Sequence, residues 1–123
     1  MTSADLVTST MRRVTSRGFD PHTASWEHKV CVLLHAAQGI IDNGGFKYLF
    51  ESPFEGNPEM KDFPRVFEAV GAISSAEAVR AALARSVDPH TNYEDLNRVL
   101  WRESEQNYAL LEQYIRAHES SYA

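Results

Sequence analysis

The run from Trp26 to Phe50 restricts what this chain can fold into more than any other part of it. Trp26, Val30, Leu33, Leu34, Ala37, Ile40 and Ile41 recur at i, i+4, i+7, i+8, i+11, i+14 and i+15. At about 100° per residue all of them fall within one broad stripe, which predicts a helix with a single apolar face. The stripe is cut at Asn43-Gly44-Gly45. Glycine and asparagine tolerate the left-handed backbone that closes a helix and turns the chain. Phe46, Tyr48, Leu49 and Phe50 follow at once. The pattern therefore predicts a corner: the helix stops at Asn43, and Phe46, Leu49 and Phe50 seal the end of the same core as a short helical turn.

The rest of the chain also reads as helix. Strand-like alternation is absent, and β-branched residues are scattered. Ser3 to Arg17 predicts a first helix with Leu6, Thr10 or Met11, and Val14 on one face, ended by Gly18. Pro53, Gly56, Asn57 and Pro58 make Glu51 to Phe63 a loop, and Pro64 suits the first turn of a third helix. Val66, Phe67, Val70 and Ile73 form its apolar face. Ser74-Ser75-Ala76-Glu77 has capping-box spacing, so a fourth helix is expected there, packed through Val79, Ala82, Leu83 and Val87.

From Tyr93 to His118 the propensity is helical throughout. Leu96, Val99 and Leu100 set one stripe; Leu110, Leu111, Tyr114, Ile115 and His118 set another. A straight helix would point Glu103 into the apolar face, so a break is expected near Arg102 to Ser104. The sum is about six helices and no sheet: a compact, all-α, single domain over residues 1–123.

With 123 residues, 43% of them hydrophobic and 24% charged, the chain can bury one core without metal or disulfide support. Cys31 is the single cysteine, so an intrachain disulfide is excluded, which suits a reducing cytosol. The first residues lack the apolar stretch of a signal peptide, and no window approaches the roughly 20 apolar residues of a membrane span. A cytoplasmic protein without membrane contact is expected. Seventeen acids against 12 Lys and Arg leave a formal charge of −5. That balance argues against direct binding to nucleic acid, which needs a positive field.

His28, Cys31 and His35, at i, i+3 and i+7 with Asp42 beyond, come nearest to a metal motif. Neighbouring pairs could chelate. The outer two are about 10 Å apart along the axis, whereas zinc ligands lie about 2 Å from the metal. The expectation is a polar helix face opposite the apolar stripe, with no metal or cofactor. Nucleophile, phosphate-loop and metalloprotease motifs are absent, so no catalytic residue is assigned. Asp88-Pro89-His90-Thr91 repeats Asp20-Pro21-His22-Thr23, in each case ahead of a helix, where Asp and Thr can cap and Pro fits the first turn.

The acids are more suggestive. Glu51, Glu55, Glu59 and Asp62 cluster before the third helix, and Glu105, Glu112 and Glu119 recur every seven residues on the last one, near Tyr108. They are either a solvated surface or a negative surface for a basic partner. Arg98, Arg102 and Arg116 dilute the second group.

Asn43-Gly44-Gly45-Phe46 with Tyr48 and Phe50 close behind, "VFEAVGA" from Val66 to Ala72, and "LLEQYIRAHE" from Leu110 to Glu119 occur in this order. Together they resemble a bacterial helical domain family of unknown function typified by a DNA-mimic protein, over about residues 26–119. The resemblance implies an all-helical cytosolic protein. The typifying member is an acidic dimer that occupies the DNA-binding face of a transcription factor, so a homodimer is one implied state. Carboxylates would stand where phosphates do.

The reading is a non-enzymatic acidic interaction protein, a DNA-mimic-like antagonist of a DNA-binding or other basic protein, with Glu51, Glu55, Glu59, Asp62, Glu105, Glu112 and Glu119 as the partner-binding residues. Two alternatives stay open: an immunity-type protein that neutralises a basic toxin, and a small enzyme or metal protein using the His28/Cys31/His35 face.

Overall fold

The computed structural model describes residues 3–54 and 56–123. Five α-helices follow one another: α1 (Ser3–Ser16), α2 (Trp26–Glu51), α3 (Asp62–Ala69), α4 (Ile73–Arg85) and α5 (Glu94–Ala117), with a 3-10 turn at Glu119–Tyr122. There is no strand among the described residues. The all-α class and the single core are as expected.

The long α2 is the centre of the bundle. It packs on α1, α3 and α5, while α1 also meets α5, and α4 pairs with α3 and packs on α5. Val30, Leu33, Leu34, Ala37 and Ile41 are buried along it, and Phe46 and Leu49 continue the core beyond the glycines. Val7, Thr10 and Val14 form the buried face of α1, and Gly18 turns the chain at φ +84 just after that helix ends. Val66, Phe67 and Val70 seal α3, as their spacing predicts.

Several expectations are corrected. Trp26 lies at the exposed start of α2, where the Arg65 guanidinium sits 5.9 Å above its ring. Neighbours cover the core only from Val30 onward. Ile73 is exposed and opens α4 instead of extending the α3 face, because Gly71, at φ +88, has already turned the chain. The capping box at Ser74 does not form: α4 begins at Ile73 without a side-chain cap, and Ser75 is buried in a polar network. Val87 is 87% exposed, since α4 ends at Arg85.

The two Asp-Pro-His-Thr copies do not cap the helices that follow. Each is a turn in which the aspartate Oδ1 accepts from the histidine amide at 2.9 Å, and Ser25 caps α2. Nor does α5 break at Glu103, whose carboxylate accepts from the Ser75 hydroxyl at 2.7 Å. A hydrogen-bonded acid is tolerated where a bare one would not be.

Candidate interaction surface at the glycine break

The helical path of α2 fails at one residue, Gly45, with φ 78 and ψ −173. This backbone region is essentially restricted to glycine. A Cβ there would lie 2.6 Å from Asn97 Nδ2. Gly44 remains helical and is needed for a different reason: its Cβ would lie 2.2 Å from the Tyr48 ring and 2.7 Å from the Tyr48 Cβ. The expected stop at Asn43 is therefore displaced to Gly45, and the helix resumes directly at Phe46.

The break takes the Phe46 amide out of the helical ladder, and α5 supplies its partner. Asn97 Oδ1 accepts from Phe46 N at 2.8 Å. One turn on, Trp101 Nε1 donates to the Ile41 carbonyl at 2.7 Å, and then the Ser104 hydroxyl donates to Asp42 Oδ2 at 2.7 Å. Asn97, Trp101 and Ser104 stand at i, i+4 and i+7, so they share one face of α5. That face matches the polar groups that a broken helix leaves open.

Behind it runs a buried polar chain. Gln38 Nε2 donates to Asp42 Oδ1 and to the Leu100 carbonyl, at 2.9 and 3.0 Å. Asn107 Nδ2 donates to Gln38 Oε1 and to Ser75 Oγ, both at 2.9 Å. Ser75 passes the chain to Glu103. No buried side-chain nitrogen or oxygen among the described residues lacks a partner. The network ties α2, α4 and α5 together and holds Asp42 at the surface. Tyr108 stands beside it, T-shaped against His35 with ring centroids 5.9 Å apart. Burial, with the Asp42 charge adding, raises the Tyr108 phenol to about 12.

Trp101 and Tyr48 expose 45% and 51% of their surfaces here, beside the exposed Asp42, Asn43 and Glu105. Exposed aromatic rings among polar groups are typical of protein-contact surfaces.

The described acids singled out by sequence differ in their surroundings. Glu51 is exposed at the end of α2. Glu55 lies outside the described residues. Glu59 is exposed and held below the usual carboxylate range by its hydrogen bond and charge contact with Lys61, 3.0 Å away. Asp62 is buried between Lys29 at 3.7 Å and Arg65 at 4.0 Å, so the structure uses it to join α2 to α3. Glu105 is exposed on α5. Glu112 is half-buried and accepts from Arg116 at 3.0 Å. Glu119 lies beyond the end of α5, in a hollow shared with Arg13 and Arg116.

The His28/Cys31/His35 face is also corrected. Cys31 is completely buried, and burial pushes its thiol up to about 12. His28 Nε2 is bonded to the Ser121 carbonyl at 2.7 Å, and its ring stacks on Tyr122. The side of α2 opposite the apolar stripe is covered by other elements, including the last turn. Among the described residues no three His, Cys, Asp or Glu side chains are placed to hold one ion.

Sequence reading missed Asn97, Trp101, Gln38 and Asn107. The i, i+4, i+7 spacing of hydrogen-bonding side chains on α5 was the available signal, but their partners are distant in the chain.

Among protein families, the one described as DMP19-like protein matches residues 24–118, close to the span of the resemblance seen in the sequence. Comparisons with curated proteins and with solved structures match nothing.

Proposed function

The chain belongs to the DMP19-like family, and from that premise we propose that it is a non-enzymatic, acidic interaction protein of the bacterial cytoplasm. It antagonises a DNA-binding or other basic protein by presenting carboxylates where DNA would present phosphates. Family membership is the observation that carries this reading. The formal charge of −5 supports it, as does the exposure of Asp42 and Glu105 near the glycine break and of Glu51 at the end of α2.

Complementary charge speeds encounter and selects the partner more than it adds affinity. The acids here are more widely spaced than DNA phosphates, which supply one charge per about 1.7 Å of axis. A partner must then be held by more than charge. Trp101 and Tyr48 offer apolar area for that purpose, with the Trp101 indole N–H already fixed to α2. A rigid ring contributes contact area at low entropic cost.

The test is capture of partners from native lysate, followed by measurement of affinity against salt. Retention of a basic protein whose binding falls steeply with salt agrees with the reading, because exposed charges are screened over roughly 8–10 Å. A partner bound independently of salt would overturn it.

A further inference from the structure

The duplicated tetrapeptide offers an internal comparison. Both copies make the same turn, with the aspartate accepting from the histidine amide and the threonine amide bonded to the aspartate carbonyl at 3.2 Å. The fold uses the side chains of the first copy. Pro21 is buried, a Cβ on Gly56 would lie 2.6 Å from it, and His22 Nε2 is bonded to the Gly56 carbonyl at 2.8 Å. The second copy has no such cover: Pro89 and His90 are exposed and border a cleft of about 390 Å³.

Lys47, Phe50 and Glu51 of α2 form the opposite side of that cleft, and Tyr93 belongs to its lining as well. The Phe50 and Tyr93 rings meet edge to face at 5.7 Å. The Asp88 charge is close enough to the Tyr93 phenol to act on it. None of Lys47, Glu51 and Asp88 has an ion-pair partner among the described residues. The nearby Arg85 cannot serve, because both arms of its guanidinium are bound to Asp95, at 2.7 and 2.9 Å. The cleft thus combines two half-buried aromatic rings with two unneutralised carboxylates against one ammonium.

We propose that this cleft receives an arginine side chain of the basic partner, its guanidinium lying against Phe50 and Tyr93 and donating to Glu51 and Asp88. The inference rests on the proposed function and names the contact within it. A planar guanidinium suits such a site better than an ammonium, since it stacks on rings and presents several donors in one plane. Asp88 has an oxygen to offer, because the turn employs only Oδ1.

The test is amide chemical-shift titration of the full chain with N-acetyl-arginine amide, whose only charge is the guanidinium, and separately with inorganic phosphate. Saturable shifts confined to Phe50, Glu51, Asp88, His90 and Tyr93 are expected with the arginine probe. Affinity should fall about tenfold in the double variant Glu51→Gln/Asp88→Asn, which removes two charge-assisted bonds while keeping side-chain shape. Unchanged spectra elsewhere would show that this variant is folded. Absence of shifts at the cleft, equal binding by the variant, or localised shifts with phosphate alone would overturn the proposal. If the captured partner binds the double variant as tightly as the native chain, the cleft assignment fails while the broader reading stands. If no basic partner exists, the broader reading fails whatever the probe does.

Discussion

Asn97 Oδ1 accepts a hydrogen bond from the amide of Phe46 at 2.8 Å, across 51 residues of sequence. The same side chain occupies the space into which a Cβ on Gly45 would project. One residue of α5 thus satisfies the donor that the break in α2 leaves open, and also makes glycine obligatory at the break. The cost of a broken helix is offset from outside the helix.

Gly45→Ala is therefore expected to destabilise the chain by about 1–3 kcal/mol from backbone strain, with the loss of the Asn97 bond added. Gly71 is the control. It too has positive φ, at +88, but its Cβ would meet nothing within 4 Å. Urea denaturation should show Gly45→Ala to be clearly the worse of the two. Equal effects would mean that Asn97 moves aside freely.

Asn97→Ala leaves the Phe46 amide without its acceptor and should cost about 1–3 kcal/mol. Asn97→Asp keeps an acceptor at that point and should cost less. Hydrogen exchange at Phe46 is the direct readout. It should accelerate in the alanine variant and stay slow in the aspartate one.

Asn107 donates to both Gln38 and Ser75 inside the bundle. Asn107→Ala strands the Gln38 carbonyl oxygen and is expected to cost at least about 1–3 kcal/mol. A double-mutant cycle with Gln38→Leu should give a coupling of about 0.5–3 kcal/mol, since the two residues touch. Additive effects would argue against one connected network.

Groups shifted by burial bear on the pH range, the buried Cys31 and the half-buried Tyr108 and His35 among them. Burial raises the Cys31 thiol from its ordinary 9.0 to about 12 and the Tyr108 phenol from 10.0 to about 12. In each case the folded state holds its proton more tightly than the unfolded state. Their contribution is thus intact below pH 9 and is lost as pH rises towards 12. His35 is shifted downward from 6.5 by burial. Its contribution is present above pH 6.5 and is lost as pH falls below it. Stability measured by denaturant should be greatest between these limits, with a native Cys31 that resists alkylation at pH 8 until the chain unfolds. Rapid alkylation without unfolding would contradict the burial of Cys31.

Glu105→Lys is expected to weaken binding of a basic partner and flatten its salt dependence, with little change in stability, because Glu105 is exposed. Asp62→Ala should behave differently. It leaves Lys29 without its buried partner, so the loss should show in thermal unfolding before it shows in binding. If both variants bind normally, neither acid belongs to the interface.

Helix formation, the central apolar stripe and the break with its aromatic continuation were all readable in the chain, because they depend on spacing over a few residues. The stripe at Val30 to Ile41 and the positive φ of Gly18 follow from local periodicity and glycine chemistry. What periodicity could not decide was which polar residues find partners. Glu103 looked like a helix breaker and Ser75 was an interior position of a capping box, yet they bond to each other from α5 and α4. Cys31 looked like part of a polar face because the elements that cover it come from elsewhere in the chain. The placement of Asp62 inside and of Val87 outside was decided in the same way. Local propensity sets where helices form, since each turn sees only its neighbours. The price of burying a polar group depends on a partner that only the packed bundle brings within hydrogen-bonding distance.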